Sequence, residues 1–197
     1  MTDLVIQQGS TFQKVVRWES LPFQYAAISA ITKAAPCVVT AASHGLQDGW
    51  RAAVVSALGM RQINAKRIPP RSSELHAITY VSATQVSFND VDSSKYSTYT
   101  SGGFLVSYTP VSLVGFTARM QIRATVESTT TLDSLTSAAG DIVLDDAAHT
   151  ITITIPATDT DDYDFRSAVY DLELVSAGGV VTRLAEGNVI LSNEVTR

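Results

Sequence analysis

Thr150-Ile151-Thr152-Ile153-Thr154-Ile155 alternates without a break between a polar and an apolar β-branched residue. A period of two places all three isoleucines on one side of an extended chain, and branching at Cβ suits a pleated surface better than a helix. Residues 142–144, Ile-Val-Leu, precede it across Asp145-Asp146, so the two stretches read as a hairpin-like pair. The same rhythm governs Phe116-Thr117-Ala118-Arg119-Met120-Gln121-Ile122-Arg123, with Phe, Ala, Met and Ile on one face and Thr, Arg and Gln on the other. Residues 169–175 and 180–184 flank Gly178-Gly179, which predicts another hairpin. Composition agrees. The 197 residues include 21 Val, 12 Ile and 22 Thr, against 10 Lys and Glu together. Exposed helix faces draw on Lys and Glu, so an all-β chain is expected.

The N-terminal stretch fits the same class. Phe12, Lys14, Val16 and Trp18 share one face of an extended run, with Lys14 and Val15 each spoiling a strict alternation. After Pro22 the texture changes: short extended runs such as Pro36-Cys37-Val38-Val39-Thr40 and residues 75–80, 85–88 and 104–108 are punctuated by glycine turns and Pro69-Pro70. Leu58-Gly59-Met60 and Gln62-Ile63-Asn64-Ala65 read as further short strands. Residues 158–165 supply the one helix expected, short and acidic, capped by Thr158 or Thr160. The predicted architecture is an immunoglobulin-like β-sandwich from residues 1–27 and 109–197, interrupted by a small β-barrel-like domain over 28–108. Insertion at a loop tip is tolerated when the two ends lie close together.

The net charge of −5 is unevenly distributed. Residues 30–106 carry seven bases against four acids, and residues 107–197 carry five bases against thirteen acids. An acidic body repels phosphates, so nucleic acid is not an expected partner. The uncharged stretch 96–118 is broken by Gly102, Gly103, Pro110 and Gly115, which argues against a membrane span. Asp3 and the polar run Gln7-Gln8-Gly9-Ser10 argue against a secretory signal. One cysteine, Cys37, excludes an internal disulfide and a cysteine-cluster zinc site.

Two sets of residues carry a resemblance. Residues 31–49, with Pro36-Cys37-Val38-Val39-Thr40-Ala41 and His44-Gly45-Leu46, followed by Gly59-Met60, Asn64 and Tyr96-Ser97-Thr98-Tyr99-Thr100-Ser101-Gly102-Gly103, resemble the first catalytic cysteine half domain of ubiquitin-activating enzymes. That domain also recurs in bacteriophage virion proteins and, despite its name, supplies no catalytic cysteine. Gln8-Gly9-Ser10-Thr11-Phe12, residues 114–123, Tyr170-Asp171-Leu172-Glu173-Leu174 and Glu194-Val195-Thr196-Arg197 resemble the immunoglobulin-like N-terminal domain of phage baseplate upper proteins. The resemblance implies a non-enzymatic virion subunit of a tail or baseplate. Such a docking or adaptor subunit attaches to other tail, baseplate or fibre proteins and forms a homo-trimer or homo-hexamer in the particle. Because such anchors often continue into a fibre, a chain ending at Arg197 is expected to be the docking module alone or a separate adaptor. A capsid-decorating or head-fibre base protein, and a host-surface carbohydrate-binding module, remain open as alternatives.

No catalytic, cofactor or metal set is expected. Ser43, His44 and Asp48 are neighbours around a two-glycine turn, a different arrangement from a nucleophile held against its base. Asp159, Asp161, Asp162 and Asp164 fail the calcium-loop spacing, with Asp164 where glycine is required. His76 and His149 stand apart from ligand partners, and Arg119 and Arg123 could pair with Asp171 and Glu173 across the sheet. The basic stretch of Arg61, Lys66, Arg67 and Arg71 reads first as a solvated loop and next as a contact with an acidic partner surface, so the candidate contact residues are Arg61, Arg67 and Arg71 with the aromatics Trp50, Tyr96 and Tyr99. Trp18 reads as core-facing, and Phe104 as a core residue.

Overall fold

In the computed structural model, which describes residues 3–193, the alternating stretches are strands and the chain is all-β. β1 (Leu4–Gln7) and β2 (Phe12–Val16) come first. They are followed by β3 (Glu19–Ile31), β4 (Cys37–Ala41), β5 (Arg51–Val55), β6 (His76–Ser82), β7 (Gln85–Phe88) and β8 (Phe104–Pro110). Then come β9 (Thr117–Arg123), β10 (Asp133–Thr136), β11 (Ile142–Asp145) and β12 (Thr150–Ile155). Helix α1 (Ala157–Asp161), β13 (Ser167–Val175) and β14 (Val181–Ser192) complete the order. One unit runs to Trp18 and resumes at Val111; the other is Glu19–Pro110.

The first unit is a sandwich of a five-stranded sheet, β1-β14-β13-β9-β10, and a three-stranded sheet, β11-β12-β2. β1 pairs parallel with β14 while the other neighbours are antiparallel, the strand arrangement of an immunoglobulin-like domain. Ile151, Ile153 and Ile155 are fully buried, and each contributes about 1.5–3 kcal/mol by leaving water. Met120, Ile122, Leu172 and Leu174 meet them in the same core, with Phe12, Val16 and Trp18 packed against it. Trp18 stands edge-on to Phe116 at 5.4 Å. The second unit fills the β2-to-β9 connection. Trp18 O accepts the Val111 N–H at 3.0 Å, and Glu19 and Pro110 are register partners, so the two chain crossings lie side by side.

Lys14 lies opposite Ile153, on the inward face of β2, which is an edge strand. An inward-pointing cation at an edge discourages another chain from adding there, which accounts for the break in alternation. The acidic helix is shorter than its sequence suggests and begins after Pro156, with neither threonine as its cap. Thr160 is buried instead and donates through Oγ1 to Ser10 O at 2.9 Å. β10, in a Thr- and Ser-rich stretch with little periodicity, carries no strand signal in the sequence. Val195 and residues 194–197 lie outside the described residues.

The second unit is a closed barrel, β3-β4-β7-β6-β5-β8. Pro22 does not end a strand, because β3 is continuous and absorbs the proline in a register shift between Ser20 and Phe23. Residues 19–27, read from the sequence with the sandwich, therefore pair with β8 in the barrel. Cys37, Val39, Trp50, Met60, Val86 and Phe88 fill its interior. Burial raises the Cys37 thiol above its ordinary pKa, so it stays protonated and packs as a small apolar group. Residues 61–63 form a 3-10 turn, and Leu58 makes a single bridge to Ser101, where the sequence suggests short strands.

Candidate functional site

Between β5 and β6 the chain builds a cationic loop. Glu74, set by the short 3-10 turn Ser72–Glu74, accepts the Lys66 N–H at 2.7 Å and the Arg71 N–H at 2.9 Å. One carboxylate thus closes residues 66–71 into a loop with both ends fixed. The Arg71 N–H holds the Glu74 carboxyl below its ordinary pKa, helped by the Lys66 N–H and the charges of Arg67 and Arg71. Arg61, Lys66, Arg67 and Arg71 are exposed, and none joins an ion pair among the described residues. Ile68, 63% exposed, stands between them. Four exposed cations and one exposed apolar side chain within eleven residues suit an acidic surface with a small apolar depression. Glu74, three residues beyond Arg71, is the sequence signal for the closure; Ile68 gives none.

The aromatic candidates have other positions. Trp50 is 1% exposed and lies in the barrel core, away from any surface a partner could touch. Tyr96 and Tyr99 are half-buried against that core. Tyr99 donates its hydroxyl towards Ile28 O and Gly102 O, both at 2.9 Å, and burial raises its pKa. It belongs to an interlock. Leu58 O accepts the Thr100 N–H at 2.9 Å, the Leu58 N–H donates to Ser101 O at 3.0 Å, and Asn64 bonds both the N–H and the C=O of Ala57. The Gly59, Asn64 and Tyr96-to-Gly103 residues that carry the sequence resemblance therefore hold two segments of the barrel together.

Phe104 is exposed instead of buried: it is 43% exposed and stands edge-on to Tyr25, itself 47% exposed, while Phe23 stacks on Tyr108 at 4.6 Å. These two pairs form an aromatic strip along the outer face of β3 and β8 that the scattered sequence positions do not announce.

The remaining polar groups are structural. His44 accepts the Leu46 N–H at Nδ1 (3.1 Å) and bonds Ser82 O through Nε2 (2.9 Å), which commits both nitrogens to the backbone. Asp48 accepts the Tyr80 N–H at 2.6 Å. His76 bonds Asp90 at 2.7 Å. Asp159, Asp161, Asp162 and Asp164 are exposed, on a corner pinned by Gln8 to the carbonyls of Asp161 and Tyr163. Among the described residues no three His, Cys, Asp or Glu side chains converge as metal ligands do, and no helix is long and apolar enough to cross a membrane. Arg119 pairs with Glu173 at 2.7 Å, whereas Arg183 takes Asp171, and Arg123 bonds Gln121 and Ser128 O. Compared with known proteins, the sequence matches no family model and no curated protein.

Proposed function

We propose that this chain is a non-enzymatic structural subunit of a bacteriophage tail or baseplate, a docking module that joins copies of itself to other virion proteins. The observation that supports this most is the cationic segment: among the described residues Arg61, Lys66, Arg67 and Arg71 stand exposed and without ion pairs, and Glu74 fixes the backbone from 66 to 71. Preorganised unpaired charge suits association with an acidic surface better than chemistry, because it steers encounter and fixes register. The acid-rich sandwich, with thirteen acids over residues 107–197, offers such a surface on a neighbouring copy.

Gold-labelled antibody against the purified chain tests the reading. Particles from the host that carries the gene are imaged by electron microscopy. Label at the tail tip is expected. Label on the head replaces the tail by a capsid-decorating role, and particles without label overturn the proposal.

A further inference from the structure

We infer that a recess in the wall of the barrel is a binding site for a neutral saccharide, a role beyond the structural one proposed above. β4 ends at Ala41, opposite Ile28, so the first half of β3 has no strand beside it on that side. The turn that leaves β4 curls past the gap, leaving a recess of about 460 Å³, within the size range of small-molecule sites. The Ile28 N–H bonds Gly103 O, and alternation along the strand then turns the N–H and C=O groups of Tyr25 and Ala27 away from β8, towards the gap.

The side chains complete a distinct chemistry. Gln24 and Ser107 are register partners on the inward face of β3 and β8, one step beyond Ala26 and Leu105. Ser107 is 3% exposed, lines the recess, and its hydroxyl makes no hydrogen bond with another described residue. A ligand oxygen entering the recess gives that hydroxyl a partner. Ser43 adds a second hydroxyl, while Ala26 and Ala42 supply a little apolar surface. Among the described residues no Asp, Glu, Lys or Arg lines the recess, and both ring nitrogens of His44 are committed to backbone groups. An ion would lose water there without gaining a counter-charge. A pyranose instead offers hydroxyls for the amide, the two serines and the strand edge, and C–H groups for the alanines. Strand addition by a peptide is the weaker fit, since the recess reaches only Tyr25 and Ala27 of the open edge.

Methyl glycosides of glucose, galactose and N-acetylglucosamine, titrated against the full chain and followed by saturation-transfer NMR, test the inference. Saturable binding of at least one, in the millimolar range, is expected. Gln24→Ala, at an exposed position, should weaken it roughly tenfold, and Ser107→Ala as much or more. Circular dichroism checks that both variants remain folded, and Gln24→Ala alone decides the matter if Ser107→Ala does not fold. Absence of saturable binding by all three glycosides overturns the inference. So does binding unchanged in the folded variants, or binding of an N-acetyl glutamine amide in place of the sugars. None of these outcomes bears on where the chain sits in a particle.

Discussion

Gly59→Ala is the substitution that most directly probes how the barrel is held. Gly59 has φ +80°, in the left-handed region, and a Cβ built there falls 2.1 Å from Thr98 O and 2.8 Å from the Thr100 N. Gly103, at φ +85°, places its Cβ 2.8 Å from the Ala57 N and Cα and 2.9 Å from Val55 O. These neighbours are backbone, so no rotamer change relieves the overlap. The left-handed conformation costs an L-residue about 1–2 kcal/mol, and overpacking against atoms that cannot turn away adds about 1–3 kcal/mol. Gly45 separates the two contributions: it has φ +66°, but nothing lies within 4 Å of its Cβ. Gly45→Ala should therefore cost about 1–2 kcal/mol, Gly59→Ala about 2–5 kcal/mol, and Gly103→Ala an intermediate amount. Urea unfolding followed by tryptophan fluorescence reads the barrel through Trp50, which is buried in its core. Trp18 belongs to the sandwich, so the two units are fitted as separate transitions unless they coincide. If Gly59→Ala shifts the Trp50 transition no more than Gly45→Ala does, the steric reasoning is wrong.

Lys14→Val should leave the sandwich folded and make it associate through the β2 edge, seen as larger species by light scattering; a monodisperse variant at the same concentration removes the edge-protection argument. Asp92, Asp146 and Glu74 are all held below their ordinary pKa values, by Ser94, by the Leu113 N–H and Ser112, and by the Arg71 N–H respectively. A depressed carboxyl stabilises the fold above its unfolded pKa and loses that contribution as pH falls through its folded value. Tm should therefore hold from neutral pH to about pH 5 and then fall, and Asp146→Asn should flatten part of the drop; a Tm insensitive to acid contradicts this. Arg61, Arg67 and Arg71 changed together to alanine should weaken self-association by roughly 5- to 150-fold, from about 1–3 kcal/mol for three exposed pairs. Sedimentation velocity at low and high salt would reveal it, and association indifferent to both salt and substitution counts against the loop.

What the sequence made legible depended on how many residues each feature needs. Periodicity over six or more positions, as in Thr150–Ile155 and Phe116 to Arg123, announces both the strand and its buried face, because burial of one side imposes the pattern. Single departures are harder to read. Lys14 breaks the rhythm of its strand, and only the register opposite Ile153 shows the cation as an edge device. Pro22 looks like a boundary, yet a register shift lets β3 run through it. Trp50 offered a large indole as a contact, but whether an aromatic faces outward is set by which strand lies across from it, and here that is the barrel interior. Conversely, Phe104 lies next to buried Leu105 and Val106 in sequence and still meets Tyr25 on the surface.

The basic stretch was visible as charge, but its shape was not. Four cations in eleven positions would ordinarily repel one another into an open, mobile segment; a single carboxylate, Glu74, bonded to the backbone at both ends of residues 66–71 prevents that. The recess shows the opposite relation, since none of its polar residues is unusual in sequence. Gln24 and Ser107 meet only because β3 and β8 are paired in that register, and the gap exists only because β4 stops at Ala41 while β3 continues. A site made by the ending of one strand has no motif of its own. Carrying β4 on through residues 42–44, opposite Ala27 to Tyr25, would close the recess by drawing Ala42, Ser43 and His44, which line it, into the strand.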